Sequence, residues 1–156
     1  MNVKAYRLQE LPQLVGQPLG TSDWIVVDQE RIARFAQATD DHQWIHVDTG
    51  PAAAGPFGGT VAHGFLTLSL VPALAASAFT VDSRMSVNYG LNRVRFTAPV
   101  RAGSRLRGHF RLLACEPIDG GMQLTTEVRV ECEGLVKPVC LAESLARRYA
   151  GNQRRP

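Results

Sequence analysis

From residue 85 onward, apolar and polar side chains alternate in four runs, 85–96, 104–115, 122–132 and 139–149. Alternation with period two is the pattern of a half-buried strand, because successive side chains point to opposite faces of a sheet. The runs are separated by Ala98-Pro99-Val100, Gly103, Asp119-Gly120-Gly121 and Gly134, which are turn signals. Such connections predict an antiparallel meander. Inside the first run, Asn88 and Gly90 break the pattern and mark either a bulge or a close approach by a ligand. Upstream, Gly16-Gln17-Pro18-Leu19-Gly20 reads as a turn and 22–27 as a short strand. Asp28 is placed to cap a helix through Gln37, with Ile32, Phe35 and Ala36 at core-facing spacing. Residues 49–60, rich in Gly, Pro and Ala, read as a loop with a helical turn at 51–54. A second helix is predicted over 64–79, about 24 Å long at 1.5 Å per residue, with Pro72 as a kink or break. One apolar helix followed by a meander predicts an α+β fold in which an antiparallel sheet wraps around a long buried helix.

That helix carries no charge. No Asp, Glu, Lys or Arg occurs between Thr49 and Val81, and residues 61–81 are numerous enough to cross a bilayer. His63, Gly64, Thr67, Ser69, Pro72 and Ser77 interrupt the stretch and no basic flank orients it. The reading is therefore the buried centre of a soluble domain, without membrane insertion. A chain of 156 residues, 45% hydrophobic and 20% charged, fits a single folded domain over 1–156 and excludes disorder. The first ~20 residues and the C-terminal tail are expected to be peripheral. The net charge of +3 and pI near 9.0 are mildly basic, partly through Arg154-Arg155. No basic run with interleaved aromatics predicts a nucleic-acid partner, whereas a phosphate-bearing small molecule suits this balance. Cys115, Cys132 and Cys140 form an odd set without Cys-x-x-Cys spacing, the pattern of reduced thiols in a cytoplasmic protein. Residues 1–7 lack the apolar core of a secretory leader.

Candidate chemistry gathers at Asp40-Asp41-His42-Gln43-Trp44-Ile45-His46-Val47-Asp48, followed downstream by Ala62-His63-Gly64. Asp41 and His46 are five positions apart, too far to share one helix face, and converge only if the chain turns at Gln43-Trp44. Carboxylate and imidazole, with ordinary pKa values of about 3.9 and 6.5, can move protons near neutrality after modest tuning. Gly64, at a predicted helix start, offers a backbone N–H to developing negative charge. His63 reads as a brace for the loop. An isolated Asp–His pair would ordinarily be a solvated loop with a capping aspartate; the downstream His-Gly turns the balance toward catalysis. The acids and imidazoles match no closed zinc spacing, so no metal is implied. Arg93 and Arg95 share one strand face, as do Arg105, Arg107 and Arg111. Singly each fits a solvated face; together they could draw phosphates.

The run Thr39-Asp40-Asp41-His42-Gln43-Trp44-Ile45-His46 resembles the hydratase motif of MaoC-like dehydratases and (R)-specific enoyl-CoA hydratases. The usual form there is Asp-x-Asn-Pro-(Leu/Ile)-His followed by a His-Gly; here Gln43-Trp44 stands in place of Asn-Pro. With the runs Gly55-Pro56-Phe57-Gly58-Gly59-Thr60-Val61-Ala62-His63-Gly64-Phe65 and Asn88-Tyr89-Gly90-Leu91-Asn92-Arg93-Val94-Arg95-Phe96, the chain is most similar to the nodulation-protein-N-like branch, over about residues 20–149.

The resemblance implies a hot-dog fold and a hydro-lyase that adds water to trans-2-enoyl thioesters, giving (R)-3-hydroxyacyl thioesters. It implies Asp41, His46 and Gly64 as catalytic residues. Gln43, Trp44, Phe57, His63, Asn88, Tyr89, Gly90, Arg93 and Arg95 are implied as substrate-binding. The substrate would be an enoyl-CoA or related acyl thioester, water the co-substrate, no further cofactor needed, and the assembly a homodimer. Two rivals remain on sequence: a hot-dog acyl-CoA thioesterase, which would release free thiol, and a non-catalytic acyl-thioester-binding module.

Overall fold

A computed structural model of the chain describes residues 3–151. Arg154-Arg155 lie outside the described residues. The chain starts with β1 (Lys4–Arg7), a 3₁₀ helix over Leu8–Leu14, β2 (Pro18–Thr21) and β3 (Ile25–Val27). Helices α1 (Gln29–Thr39), α2 (Trp44–Val47), α3 (Thr49–Ala53), α4 (Gly64–Ser69) and α5 (Val71–Ala78) follow. The remainder is strand: β4 (Phe79–Asp82), β5 (Met85–Phe96), β6 (Ser104–Ile118), β7 (Gly121–Cys132) and β8 (Cys140–Tyr149).

The alternating runs become the main sheet. β6 pairs with β7, β7 with β8, and β8 with β5, all antiparallel. β2 and β3 follow one another along the other side of β6, while β1 and β4 form a separate parallel pair. Even-numbered residues from 106 to 112 of β6 and from 124 to 132 of β7, among them Leu106, Phe110, Leu124, Val128 and Val130, point inward and are buried. Leu74 of α5 is wholly buried in the same cluster, and Phe79 meets Phe110 edge-on at 5.6 Å between centroids. Burying each such side chain is worth about 1.5–3 kcal/mol. Strand and helix approach closely at Gly20, where an added Cβ would lie 2.5 Å from the Ala78 carbonyl oxygen. This is the expected α+β, hot-dog arrangement, a sheet curled around a central helical segment.

Several boundaries differ from the sequence expectation. The predicted helix over 64–79 is two helices stepping at Leu70, because Pro72 has no N–H to offer the carbonyl a turn behind it. Phe79 belongs to β4. The turn expected at residues 16–20 contains β2, since proline is tolerated at the start of an edge strand and Leu19 is buried beneath it. The strand expected from Ser22 begins only at Ile25: Ser22 Oγ instead accepts the Gly108 N–H at 2.8 Å and donates to the Asp23 carbonyl. The N-terminal segment expected to be peripheral supplies Leu8, Leu11 and Leu19 to the core. The interruption at Asn88 and Gly90 is a register shift against β8, as the pattern predicted. Among the described residues, no helix is long and apolar enough to cross a membrane.

Candidate active site

Asp28 caps α1 as expected, its Oδ1 accepting the Arg31 N–H at 2.8 Å. The helix ends at Asp40, which takes the left-handed conformation at φ +57°; aspartate tolerates this better than most residues. The reversal sends Asp41 into the next loop, and the single turn of α2 then brings His46 back beneath it. Sequence reading anticipated a turn here but not a helical one.

His46 is 7% exposed, and its Nδ1 lies 2.6 Å from the Val61 carbonyl oxygen. A carbonyl can only accept, so Nδ1 carries the proton and a neutral ring leaves Nε2 as a free base. The same loop is held from the other side by the Val61 N–H, which donates to Ile45 O at 3.0 Å. Gln29 adds a brace: its amide donates to the His46 carbonyl at 2.8 Å, and its side-chain oxygen accepts the Thr60 hydroxyl. Nothing in the sequence marks Gln29 for this role, since its partners lie 17 and 31 residues away.

His63 is buried, with its ring stacked on His46 at 3.7 Å between centroids and tilted against Phe35 at 4.9 Å. Its Nε2–H donates to the Asp41 backbone carbonyl at 3.0 Å, which is the bracing role expected of it. Its Nδ1 has no partner among the described residues. The half-exposed Asp41 carboxylate lies 4.0 Å from His63 Nε2. Donor atoms of Asp41, His46 and His63 all fall within 4.8 Å of one another, a spacing that would also admit a small cation.

Gly64 opens α4 directly after His63. An added Cβ there would lie 2.7 Å from Cγ of Phe96, so the ring of β5 packs where a side chain would be. His46, Phe57, Gly64, Thr67 and Phe96 line one cavity of about 360 Å³. Trp44 closes over Gly55 nearby and, like Phe57, remains partly exposed.

Other predicted contacts lie elsewhere. Asn88, Tyr89 and Gly90 line a second, larger cavity, and Tyr89 stacks under the Arg147 guanidinium at 3.5 Å. Arg93 and Arg95 are paired in register with Glu143 and Leu141 on the outer, exposed face of the sheet and line neither cavity. Arg105 and Arg107 are engaged by Glu133 and Glu131 and flank the Trp24 ring. For these two, the solvated-face reading accounts for the geometry.

Residues 10–133 match the family model described as MaoC like domain. The chain is 50% identical over 143 residues to 3-hydroxyacyl-thioester dehydratase Z of Mycobacterium tuberculosis (strain ATCC 25618 / H37Rv), covering 90% of this chain and 95% of that protein. It is 50% identical over 139 residues to Nodulation protein N of Rhizobium leguminosarum bv. viciae, covering 86% of each. Among solved structures it superposes on the unliganded R-hydratase PhaJ1 of Pseudomonas aeruginosa with a TM-score of 0.73 at 24% identity, covering 88% of this chain and 83% of that one.

Proposed function

The chain belongs to the MaoC-like dehydratase family, and from that premise we propose that Asp41, His46 and the Gly64 N–H form its hydro-lyase centre. The reaction is the reversible addition of water to a trans-2-enoyl thioester, giving the (R)-3-hydroxyacyl thioester. His46 Nε2 takes a proton from a water oriented by the Asp41 carboxylate. The water oxygen bonds to C3 as the C2–C3 π pair moves toward the thioester carbonyl, whose oxygen gains negative charge. The Gly64 N–H, which has no hydrogen-bond partner among the described residues, meets that charge. A donor in this role is worth about 3 kcal/mol in the transition state. The Asp41–His46 pair then returns a proton to C2, completing hydration without net change in the enzyme. The tautomer imposed on His46 by the Val61 carbonyl is the observation that carries this assignment.

Coenzyme A or an acyl-carrier protein supplies the thiol of the substrate, and no further cofactor enters these steps. The working protein is a homodimer in the cytoplasm, in keeping with three free cysteines, of which burial pushes the Cys140 thiol up to about 11. Gln43, Trp44 and Phe57 border the reacting carbons, and Arg93 and Arg95 await the carrier's phosphates from the outer face. The test follows enoyl absorbance and free thiol together in one cuvette. Hydration consumes the enoyl band without thiol; thiol release would reassign the protein as a thioesterase, and unchanged bound substrate as a binding module.

A further inference from the structure

The second cavity, about 820 Å³, opens between the helices α4 and α5 and the inner face of β5, β8 and β7. Most of its wall is apolar, including Leu68, Ala75, Phe79 and Leu124. Its floor consists of cross-strand rows: Leu91–Ser144–Thr126, Asn88–Ala146–Leu124 and Ser86–Arg148–Met122. Small residues at the centre of the first two rows, Ser144 and Ala146, hollow the floor beside Arg148. The polar members of those rows are idle: among the described residues, the side chains of Ser86, Asn88, Thr126, Ser144 and Arg148 make no hydrogen bond.

Arg148 is the anomaly. Its Nε is buried without a partner, and desolvation lowers the pKa of the guanidinium. Guanidinium has five donors and no acceptor, and a donor left both buried and unpaired, as Nε is in this half-buried side chain, is costly. A wall that is apolar except for one unpaired cation and a few hydroxyl and amide groups describes a receptor for a long apolar arm with one anionic group. The cavity is also continuous in its framework with the catalytic one. Helix α4 gives Gly64 and Thr67 to the first and Leu68 and Ser69 to the second; β5 gives Phe96 to the first and Leu91 to the second.

We propose that this cavity receives the acyl arm of the substrate and that Arg148 binds a carboxylate carried on that arm. The preferred substrates are then enoyl thioesters bearing an acidic group remote from the thioester. The planar fork of arginine matches a carboxylate with two parallel hydrogen bonds. A pyrophosphate carries more charge than this single cation among apolar walls would answer. The inference rests on the hydratase reading for its chemistry and on the cavity for its specificity.

The experiment compares trans-2-enoyl-CoA substrates of increasing length with the same series ending in a carboxylate, using the full chain. At the matching length the carboxylate should raise kcat/KM about ten- to a hundredfold, the usual worth of hydrogen bonds to a charged group. In Arg148→Met that ratio should fall to near one; Arg148→Lys should keep part of it. Calorimetric titration with free α,ω-dicarboxylates against monocarboxylates reads the same site without turnover. Active hydration with no preference at any length overturns the inference while leaving the hydratase reading intact. Dicarboxylate binding that depends on Arg148, with no enoyl thioester hydrated, overturns the hydratase reading instead. If Arg148→Met raises KM for plain enoyl-CoA but not for enoyl-pantetheine, the guanidinium reads coenzyme A phosphate and the inference falls. Should Arg148→Met fail to fold, the lysine variant and the wild-type series decide the matter.

Discussion

The imidazole of His46 has its Nδ1 spent on a carbonyl and its face spent on His63, so only Nε2 is left for chemistry. Replacing it with glutamine, or Asp41 with asparagine, keeps approximate size and removes the proton-transfer group. Each single change should lower turnover by at least a hundredfold with the far-ultraviolet dichroism unchanged. With both acting on one water, as proposed, the double mutant should fall well short of the product of the single defects. Multiplicative loss would show that they act separately. Gly64→Ala tests a different constraint. Its Cβ would press on the Phe96 ring, and overpacking of this kind costs about 1–3 kcal/mol. Its melting temperature should drop, and Phe96→Leu in the same chain should recover much of the loss; no recovery would place the strain elsewhere. At this scale the sequence marked the candidate residues that the structure brings together, but not how they are held. Asp41, His46 and Gly64 are recognisable by type and spacing. The Val61 carbonyl, the Gln29 amide and the stacking of two histidines are tertiary contacts without a local signature.

Between strands, the outer face of the sheet carries an electrostatic network of its own. Glu131 of β7 accepts from Arg107 at 2.9 Å and faces His109 Nε2 at 2.7 Å, while His109 Nδ1 meets the Thr21 hydroxyl at 3.2 Å. The hydrogen bond from His109, then that from Arg107, holds the Glu131 carboxyl below its ordinary value of 4.5. A carboxyl with a depressed folded pKa binds fewer protons folded than unfolded, so its stabilisation is complete above the unfolded value and fades as pH falls through the folded one. Unfolding by urea should therefore show a constant gap between wild type and Glu131→Gln above pH 4.5, narrowing as the pH drops below it. A gap that does not change with pH would remove Glu131 as its source. Elements were legible in proportion to their repetition. The strands β5 to β8 show themselves through many alternations, and α1 through its cap and spacing. Short β2 and one-turn α2 offer too few residues for a period, and Pro72 marked the break between α4 and α5 without fixing its place.

At the scale of the molecule, β5 is the unfinished edge. Among the described residues it pairs with β8 on one side only, and none of its 12 residues is buried. Met85, Val87, Tyr89, Leu91 and Phe96 all stand out as exposed apolar side chains. A straight strand of this length offers about 40 Å of unpaired backbone, an open template for another strand unless it is covered. A second copy presenting its own β5 antiparallel would continue the sheet across a two-fold axis and cover the apolar residues of both. The same strand borders both cavities, so the partner would also shut out the water that weakens charge stabilisation at the thioester oxygen. Light scattering should therefore report about twice the 17.0 kDa chain mass. Met85→Lys combined with Val87→Lys places four like charges along the shared edge at exposed positions that line neither cavity and should yield monomer, with turnover falling in step with the dimer fraction on dilution. A monomer that hydrates enoyl thioesters at full rate would show that one chain completes the site by itself.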